Sequence, residues 1–196
     1  MKELEKAAAG QLYDANFDEE TLQLRAHAKM QLFHLNQTPP DQVARRESLL
    51  RSLLGKVGDG FVIEGPFYCD YGFNIDIGDG FYANVNLTIL DGAPVRIGNN
   101  VFLGPNVGLH TAGHPLDVAQ RNQGLEYARP IHIADDVWLG AGVQVLPGVS
   151  IGQGTVIGAG SVVTKSIPAG VVAAGNPCRV LRPIETTDIS ANPTSA

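Results

Sequence analysis

The chain has 196 residues, enough for one domain with an appendage, and 44% hydrophobic with 17% charged residues is a globular composition. A formal charge of −6, with no basic face or arm, excludes a general nucleic-acid binder. Two cysteines, Cys69 and Cys178, lie far apart without metal-ligand spacing, which excludes a disulfide framework or a zinc ribbon and leaves both as small core or corner residues.

The opening stretch MKELEKAAAGQLYDANFDEE lacks the apolar core of a signal peptide, and no run approaches eighteen apolar residues. A cytoplasmic protein without a membrane partner is therefore expected. Residues 1–56 read as a helical N-terminal cap. From Asp18 the apolar positions Leu22, Leu24, Ala26, Met30, Leu32, Phe33 and Leu35 mostly keep helical spacing, with acids at the start. Pro39-Pro40 breaks the chain. A second helix is expected from Asp41 as its cap through Val43, Leu49, Leu50, Leu53 and Leu54 to a stop at Gly55. Such a cap covers the open end of a stacked β structure, where strand edges would otherwise be unpaired.

Beyond the cap the chain is a repeat. Ile133, Leu139, Val145, Ile151, Ile157 and Val163 fall six apart without a slip, with Val137, Val143 and Val149 in a second register. Neither a helix nor a half-buried strand has that period. It fits a chain folded into a triangular coil, each six-residue unit forming one short flat face with its apolar residue inward. Residues eighteen apart, such as Ile133 with Ile151 and Leu139 with Ile157, should then stack about 4.7–4.9 Å apart. Gly140, Gly152 and Gly158 come directly after inward residues, where a corner needs close backbone approach. The rhythm begins earlier, in Ile77, Ala83 and Ile89. It resumes at Ile97, Leu103 and Leu109 after a two-residue insertion near Gly92. The coil is expected from about Phe61 to Val172, within a domain of 57–182.

One stretch interrupts it. Residues 111–130, TAGHPLDVAQRNQGLEYARP, have neither the period nor apolar density, and a long irregular loop in a compact domain is usually functional. His114 stands at its start, before a proline, and a neutral imidazole near pH 7 is suited to taking a proton from a hydroxyl. The segment 183–196 is polar and expected to be a flexible tail.

Several segments in this order carry a specific resemblance: GQLYDAN near the start, RRESLLRSLLG, CDYGFNI at 69–75, FYANVN at 81–86, LDGAPVRIGNNV, HPLDVAQRNQGLEY, and AAGNPCRV at 173–180. From Gly10 to Arg182 the chain resembles the maltose and galactoside O-acetyltransferases, a branch of the hexapeptide-repeat acyltransferases. Its HPLD and GLEY segments are similar to the maltose branch. The resemblance implies a mainly β fold, a left-handed parallel β-helix, assembled as a homotrimer with active sites between subunits. It also implies direct transfer of acetyl from acetyl-CoA to a sugar hydroxyl, with no metal.

The resemblance makes His114 the catalytic base and Asn84 the group that stabilises the transition state, an amide donor aimed at developing charge. Read without it, Asn84 is a corner asparagine in the left-handed region. Asp70, Tyr82 and Asp91 lie near Asn84 in the coil and can hydrogen-bond sugar hydroxyls, and Asp14 is a fourth candidate. Glu126 either orients His114 or binds sugar. The galactoside branch has an acidic residue where this chain has Gly92 and a serine where Asp70 stands, which points away from galactosides; maltose or glucose is the expected acceptor, with a galactoside or a chitooligosaccharide as the alternative.

For CoA, Lys165, Arg179 and Arg182 bring cations to a region otherwise almost uncharged, suited to phosphates. Ala141, Ala159 and Gly160 leave backbone accessible to a pantetheine arm, and Thr164 adds a hydroxyl. Family members place CoA contacts at the matching positions. Trp138, a large ring among small aliphatic positions, either lines the cofactor tunnel or packs between subunits, and packing is the expectation.

Two other classes stay open. The same coil carries zinc-dependent carbonic anhydrases, and His110, His114 and His132 are available as ligands. The Asn84 segment and the basic C-terminal cluster have no task in such a hydratase. A non-catalytic scaffold is the third class, opposed by the joint presence of His114, Asn84, Lys165 and Arg179. Neither cysteine lies in a segment matching the active site, so no covalent acetyl-enzyme is expected.

Overall fold

A computed structural model describes residues 1–185. Its body is a left-handed parallel β-helix of triangular section, and the three faces arise directly from the period of six. The first face stacks Lys56–Val57, Ile75–Ile77, Val95–Ile97, Ile131–Ile133 and Ser150–Ile151. On the second are Val62–Ile63, Tyr82–Ala83, Phe102–Leu103, Trp138–Leu139, Val156–Ile157 and Val171–Ala174, closed by the antiparallel strand Arg179–Pro183. The third stacks Phe67–Cys69, Leu87–Leu90, Gly108–His110, Gln144–Val145 and Val162–Val163.

The register is the one the spacing requires, with Ile133 opposite Ile151 and Leu139 opposite Ile157. Inward residues of all three faces form one core in which Ile133, Leu139, Val145, Ile157 and Val163 are fully buried. Each such side chain contributes about 1.5–3 kcal/mol of burial, so the repeat itself is the stabilising element. Gly140 shows why the corners are small. A Cβ there would sit 2.7 Å from the backbone nitrogen of Ala159 in the next coil.

The coil starts at Lys56, slightly ahead of the expected Phe61, because Gly55 N and Gly58 N already donate to Ile75 O and Ile77 O. Before it lie three helices. α1 is Glu3–Ala8, α2 is Glu19–Gln37 and α3 is Val43–Leu53. Asp18 caps α2, its carboxylate accepting from Thr21 N at 2.9 Å. The cap of α3 is Gln42 rather than Asp41, without a side-chain capping bond; Gln42 Oε1 accepts from Arg45 Nη1 at 3.4 Å, and Gln42 N donates to Pro39 O in a preceding turn. Leu32, Leu35, Leu50, Leu53 and Leu54 join the core of Ile63, Phe67 and Ile75, which plugs the open end.

The N-terminal region is not wholly helical. Strand Tyr13–Asp14 pairs with Leu125–Ala128, which also pairs with Ala112–Gly113. The excursion of residues 111–130 is therefore ordered rather than irregular, with a short helix α4, Val118–Asn122, capped by Asp117 at its tip. Of the expected tail, Pro183 closes the last strand and Ile184 N donates to Gly170 O at 2.9 Å. Residues 186–196 lie outside the described residues. No helix among the described residues is long and apolar enough to cross a membrane.

Candidate active site

The ordered excursion and the helical cap enclose a cavity of about 230 Å³ against the third face, lined by Arg25, Asp70, Leu90, Ala112, Gly113, His114 and Glu126. The excursion leaves the solenoid after His110, and its two strands set His114 and Glu126 side by side. His114 Nδ1 lies 3.1 Å from Leu125 O. A carbonyl can only accept, so Nδ1 carries a proton, and in the neutral ring the lone pair is on Nε2. That Nε2 stands 3.8 Å from Glu126 Oε1. The imidazole is half exposed, while the Glu126 side chain is only 14% exposed. Glu126 is held from behind, where Tyr13 Oη donates to its Oε2 at 3.2 Å and Asn16 Nδ2 to its Oε1 at 3.5 Å.

Asp70 forms the opposite wall. Burial pushes its carboxyl up to about 6, opposed by the Arg25 guanidinium whose Nε lies 4.0 Å from Oδ1. Arg25 Nη2 donates to Tyr71 Oη at 3.2 Å, with its guanidinium carbon 5.6 Å from the centroid of that ring. Asp91 does not face the cavity. It is fully buried, and its carboxylate accepts from the backbone N–H groups of Asp70 at 3.0 Å, Tyr71 at 2.9 Å and Gly72 at 2.7 Å. Burial raises its pKa while these bonds lower it. The expectation that Asp91 meets a ligand is thus corrected to a positioning part, fixing the turn that presents Asp70.

Asp14 is also drawn elsewhere. Its Oδ1 accepts from Asn16 N and Phe17 N at 3.0 and 2.9 Å, closing a turn, and it is not among the cavity's lining residues. The neighbour Tyr13 makes the contact with Glu126 instead. Tyr13 and Arg25 are the residues that reading the sequence missed. GQLYDAN was a visible signal, but Tyr13 is distinguished from Asp14 only by strand alternation; Arg25 looks like any surface cation on a helix.

Tyr82 and Asn84 stand apart from the cavity, on the second face and at its corner with the third. Asn84 is not in the left-handed region; Asn86 and Asn106 are, with φ of 63° and 60°. Its Oδ1 accepts from Val85 N at 2.8 Å, and its amide N–H groups have no partner among the described residues. In successive coils Asn84 N donates to Leu103 O, Gly104 N to Leu139 O, Gly140 N to Ile157 O and Gly158 N to Ala173 O. Asn84, Gly104, Gly140 and Gly158 therefore form one column. From Gly158 to Asn84 is three steps, about 14 Å at strand spacing. Gly104, Gly140 and Gly158 put no side chain on this edge, and Ala141 and Ala159, both exposed, follow the last two.

Of the basic residues, Arg179 lies opposite Ala174 and Arg182 opposite Val172 on the final strand, at the far end of that column. Exposed Thr164 and Lys165 leave the third face at a different corner. Beside the column, the second face presents Tyr82, Phe102, Trp138 and Val156 in register, with Phe102 51% and Trp138 55% exposed. The ring of Trp138 thus points outward, away from its own chain's core.

The three histidines considered as metal ligands diverge within the chain. His110 Nε2 is 2.7 Å from Gln144 Oε1 on the third face, and His132 stands on the first face in register with Arg96. Among the described residues no three His, Cys, Asp or Glu side chains are grouped to hold a metal ion.

Comparison with known proteins agrees with this architecture. Residues 6–58 match the maltose acetyltransferase hexapeptide capping motif, residues 94–113 the hexapeptide repeat of succinyl-transferase, and residues 130–165 the bacterial transferase hexapeptide, six repeats. A Saccharomyces cerevisiae protein, described provisionally as an acetyltransferase, is 56% identical over 188 residues, 96% of each chain. A maltose O-acetyltransferase from Clostridium difficile 630 superposes with a TM-score of 0.92 at 48% identity, over 94% of this chain and 98% of its own. A galactoside acetyltransferase solved in complex with coenzyme A gives 0.93 at 45% identity, over 96% of this chain and 94% of its own.

Proposed function

The chain belongs to the family of maltose and galactoside O-acetyltransferases, acyltransferases built on hexapeptide repeats, and from that membership we propose that it moves acetyl from acetyl-CoA to a hydroxyl of a glucosyl or maltosyl-type sugar. The observation that carries this reading is the fixed tautomer of His114. Its Nδ1–H donates to Leu125 O, so the basic Nε2 is turned to a cavity walled by Asp70 and Glu126. A base with its lone pair on the substrate side is what deprotonation of an acceptor hydroxyl needs.

In this mechanism the sugar hydroxyl gives its proton to Nε2 as its oxygen attacks the thioester carbonyl. The charge that develops on the carbonyl oxygen is met by the amide N–H of Asn84, whose own oxygen is already occupied by Val85 N. Collapse of the tetrahedral intermediate expels CoA thiolate, which recovers the proton from the imidazolium. Glu126 stands beside Nε2 and offsets the positive charge while it lasts. Cys69 takes no part as a nucleophile, because burial pushes its thiol well above the ordinary range and keeps it protonated.

His114 lines the cavity and Asn84 does not, which supports a reaction centre completed between copies. The outward ladder of Tyr82, Phe102, Trp138 and Val156 is the apolar surface that favours such an assembly, a homotrimer with Asn84 and Tyr82 of one subunit facing His114 of the next. The pantetheine arm runs along the glycine column past Ala141 and Ala159, and Arg179 and Arg182, with Thr164 and Lys165 at the adjoining corner, take the phosphates. Cytoplasmic acetyl-CoA is the donor in this reading.

The test is thiol release from acetyl-CoA against glucose, maltose, galactosides, glucosamine oligomers and simple amines, with metal content measured on the same sample. Release with glucose or maltose from metal-free protein is expected. No release with any acceptor would overturn the proposal.

A further inference from the structure

The segment that carries His114 is tied down by one residue of α4. Pro115, directly after the histidine, is buried, whereas Leu116 is 94% exposed, so the chain leaves the body of the protein at once. Arg121 folds back onto this point, its Nη1 donating to Pro115 O at 3.2 Å and to Leu116 O at 3.1 Å. On its other side, Arg121 O accepts from Gly124 N at 3.0 Å, and Gly124 precedes Leu125, whose carbonyl receives the Nδ1 proton of His114. The side chain of Arg121 thus grips the two carbonyls after His114, and its main chain grips the residue before Leu125.

No residue of α4 is buried, so the helix has no core contact to fix its place. Five residues are also too few to be stable as a helix alone. Asp117 caps its start, accepting from Gln120 N at 2.9 Å. Among the described residues Arg121 has no ion-pair partner, and its side chain bonds only to the two carbonyls. A guanidinium suits that task, since it presents several donors in one rigid plane and stays charged at any working pH.

We propose that Arg121 is a positioning residue for the base: it sets the spacing between His114 and Leu125 O, and so keeps the proton on Nδ1 and the lone pair on Nε2. This rests on the reading of His114 as the base of acetyl transfer and adds the part that holds its tautomer. An imidazole released from Leu125 O exchanges between tautomers, and the share with its proton on Nε2 has no lone pair for an acceptor hydroxyl. Arg121 does not line the cavity, so its loss should act on the chemical step and spare the binding of either substrate.

The experiment compares wild-type protein with Arg121→Met, which keeps an unbranched stem and removes the donors, and with Asp117→Ala, which removes the cap of α4 and keeps Arg121. Nitrogen NMR of histidine-labelled protein, at a pH where the ring is neutral, reads the tautomer; the signals of His114 are those missing from His114→Ala. Values of kcat, KM for both substrates and Tm come from the same preparations. Wild-type His114 should be a single Nδ1–H tautomer. Arg121→Met should show both tautomers and a kcat lower by about 10- to 100-fold, with both KM values and Tm close to wild type. Asp117→Ala should keep the wild-type tautomer. An unchanged tautomer in Arg121→Met would overturn the proposal whatever happens to kcat. Equal mixing of tautomers in Asp117→Ala would also overturn it, tracing the effect to a looser α4 rather than to the guanidinium. Turnover retained in His114→Ala, or wild-type protein silent toward every sugar, would overturn the acetyltransfer reading, and the tautomer comparison judges the Arg121 contact independently of either.

Discussion

Tyr13 and Glu126 are register partners across the small antiparallel sheet, and the Tyr13 hydroxyl donates to Glu126 Oε2 at 3.2 Å. Through this bond a residue near the start of the chain sets the carboxylate that flanks His114. Tyr13→Phe removes the donor and keeps the ring. It should lower stability by about 1 kcal/mol, a Tm shift of a few degrees, and lower kcat several-fold with KM for acetyl-CoA unchanged. Thermal unfolding and steady-state kinetics on one preparation check both.

His114→Ala should reduce turnover by about 10²–10⁴, while acetyl-CoA binding measured by calorimetry survives. Turnover equal to wild type would remove His114 from the reaction.

Asp70 gives a pH signature in stability. Its folded pKa is raised from 3.8 to about 6, chiefly by burial. A raised pKa means the folded state binds the proton more tightly. Stability attributable to Asp70 is therefore complete below about pH 3.8 and is lost as pH rises to 6 and beyond. Asp70→Asn should be indistinguishable from wild type near pH 4 and more stable at pH 7, by on the order of 1–3 kcal/mol. Denaturant unfolding at the two pH values reads the difference; a gap that is the same at both would contradict the assignment.

The proposed sharing of the site between subunits is tested by complementation. His114→Ala and Asn84→Ala should each be poorly active alone. Unfolded and refolded together, they form mixed trimers in which about a quarter of the sites combine an intact His114 with an intact Asn84. Activity near a quarter of wild type is expected from the mixture. Activity no greater than the mean of the two parents would place both residues in one subunit's site.

Gly140 reports on the column that runs up to Asn84. Gly140→Ala places a methyl 2.7 Å from Ala159 N, a backbone atom that cannot move aside without shifting the coil. A loss of about 1–3 kcal/mol is expected. Gly160→Ala, where a Cβ meets nothing within 4 Å but φ is +69°, should cost less, about 1 kcal/mol. Tm values of the two variants make the comparison.

Sequence by itself determined the coil, because the period of six is a local rule repeated until it becomes global. Ile133, Leu139 and Val145 can all be inward only if the chain turns every six residues, and that places their partners eighteen positions on. It also located the excursion, since residues 111–130 break that rule, and it singled out His114 within it. The conformation of those twenty residues was decided by tertiary structure. Their strands are too short to read as β alone, and they become strands by pairing with Tyr13–Asp14, over a hundred positions earlier. The same long-range pairing makes Tyr13 rather than Asp14 the partner of Glu126. Burial separated Asp70 from Asp91, two carboxylates alike on paper: one walls the cavity, and the other is enclosed by three backbone N–H groups. Arg25 became visible only when helix packing buried its Nε beside Asp70. Local periodicity is written in the order of residues; the environment of a polar group depends on what distant segments bring to it, and only the folded chain supplies that.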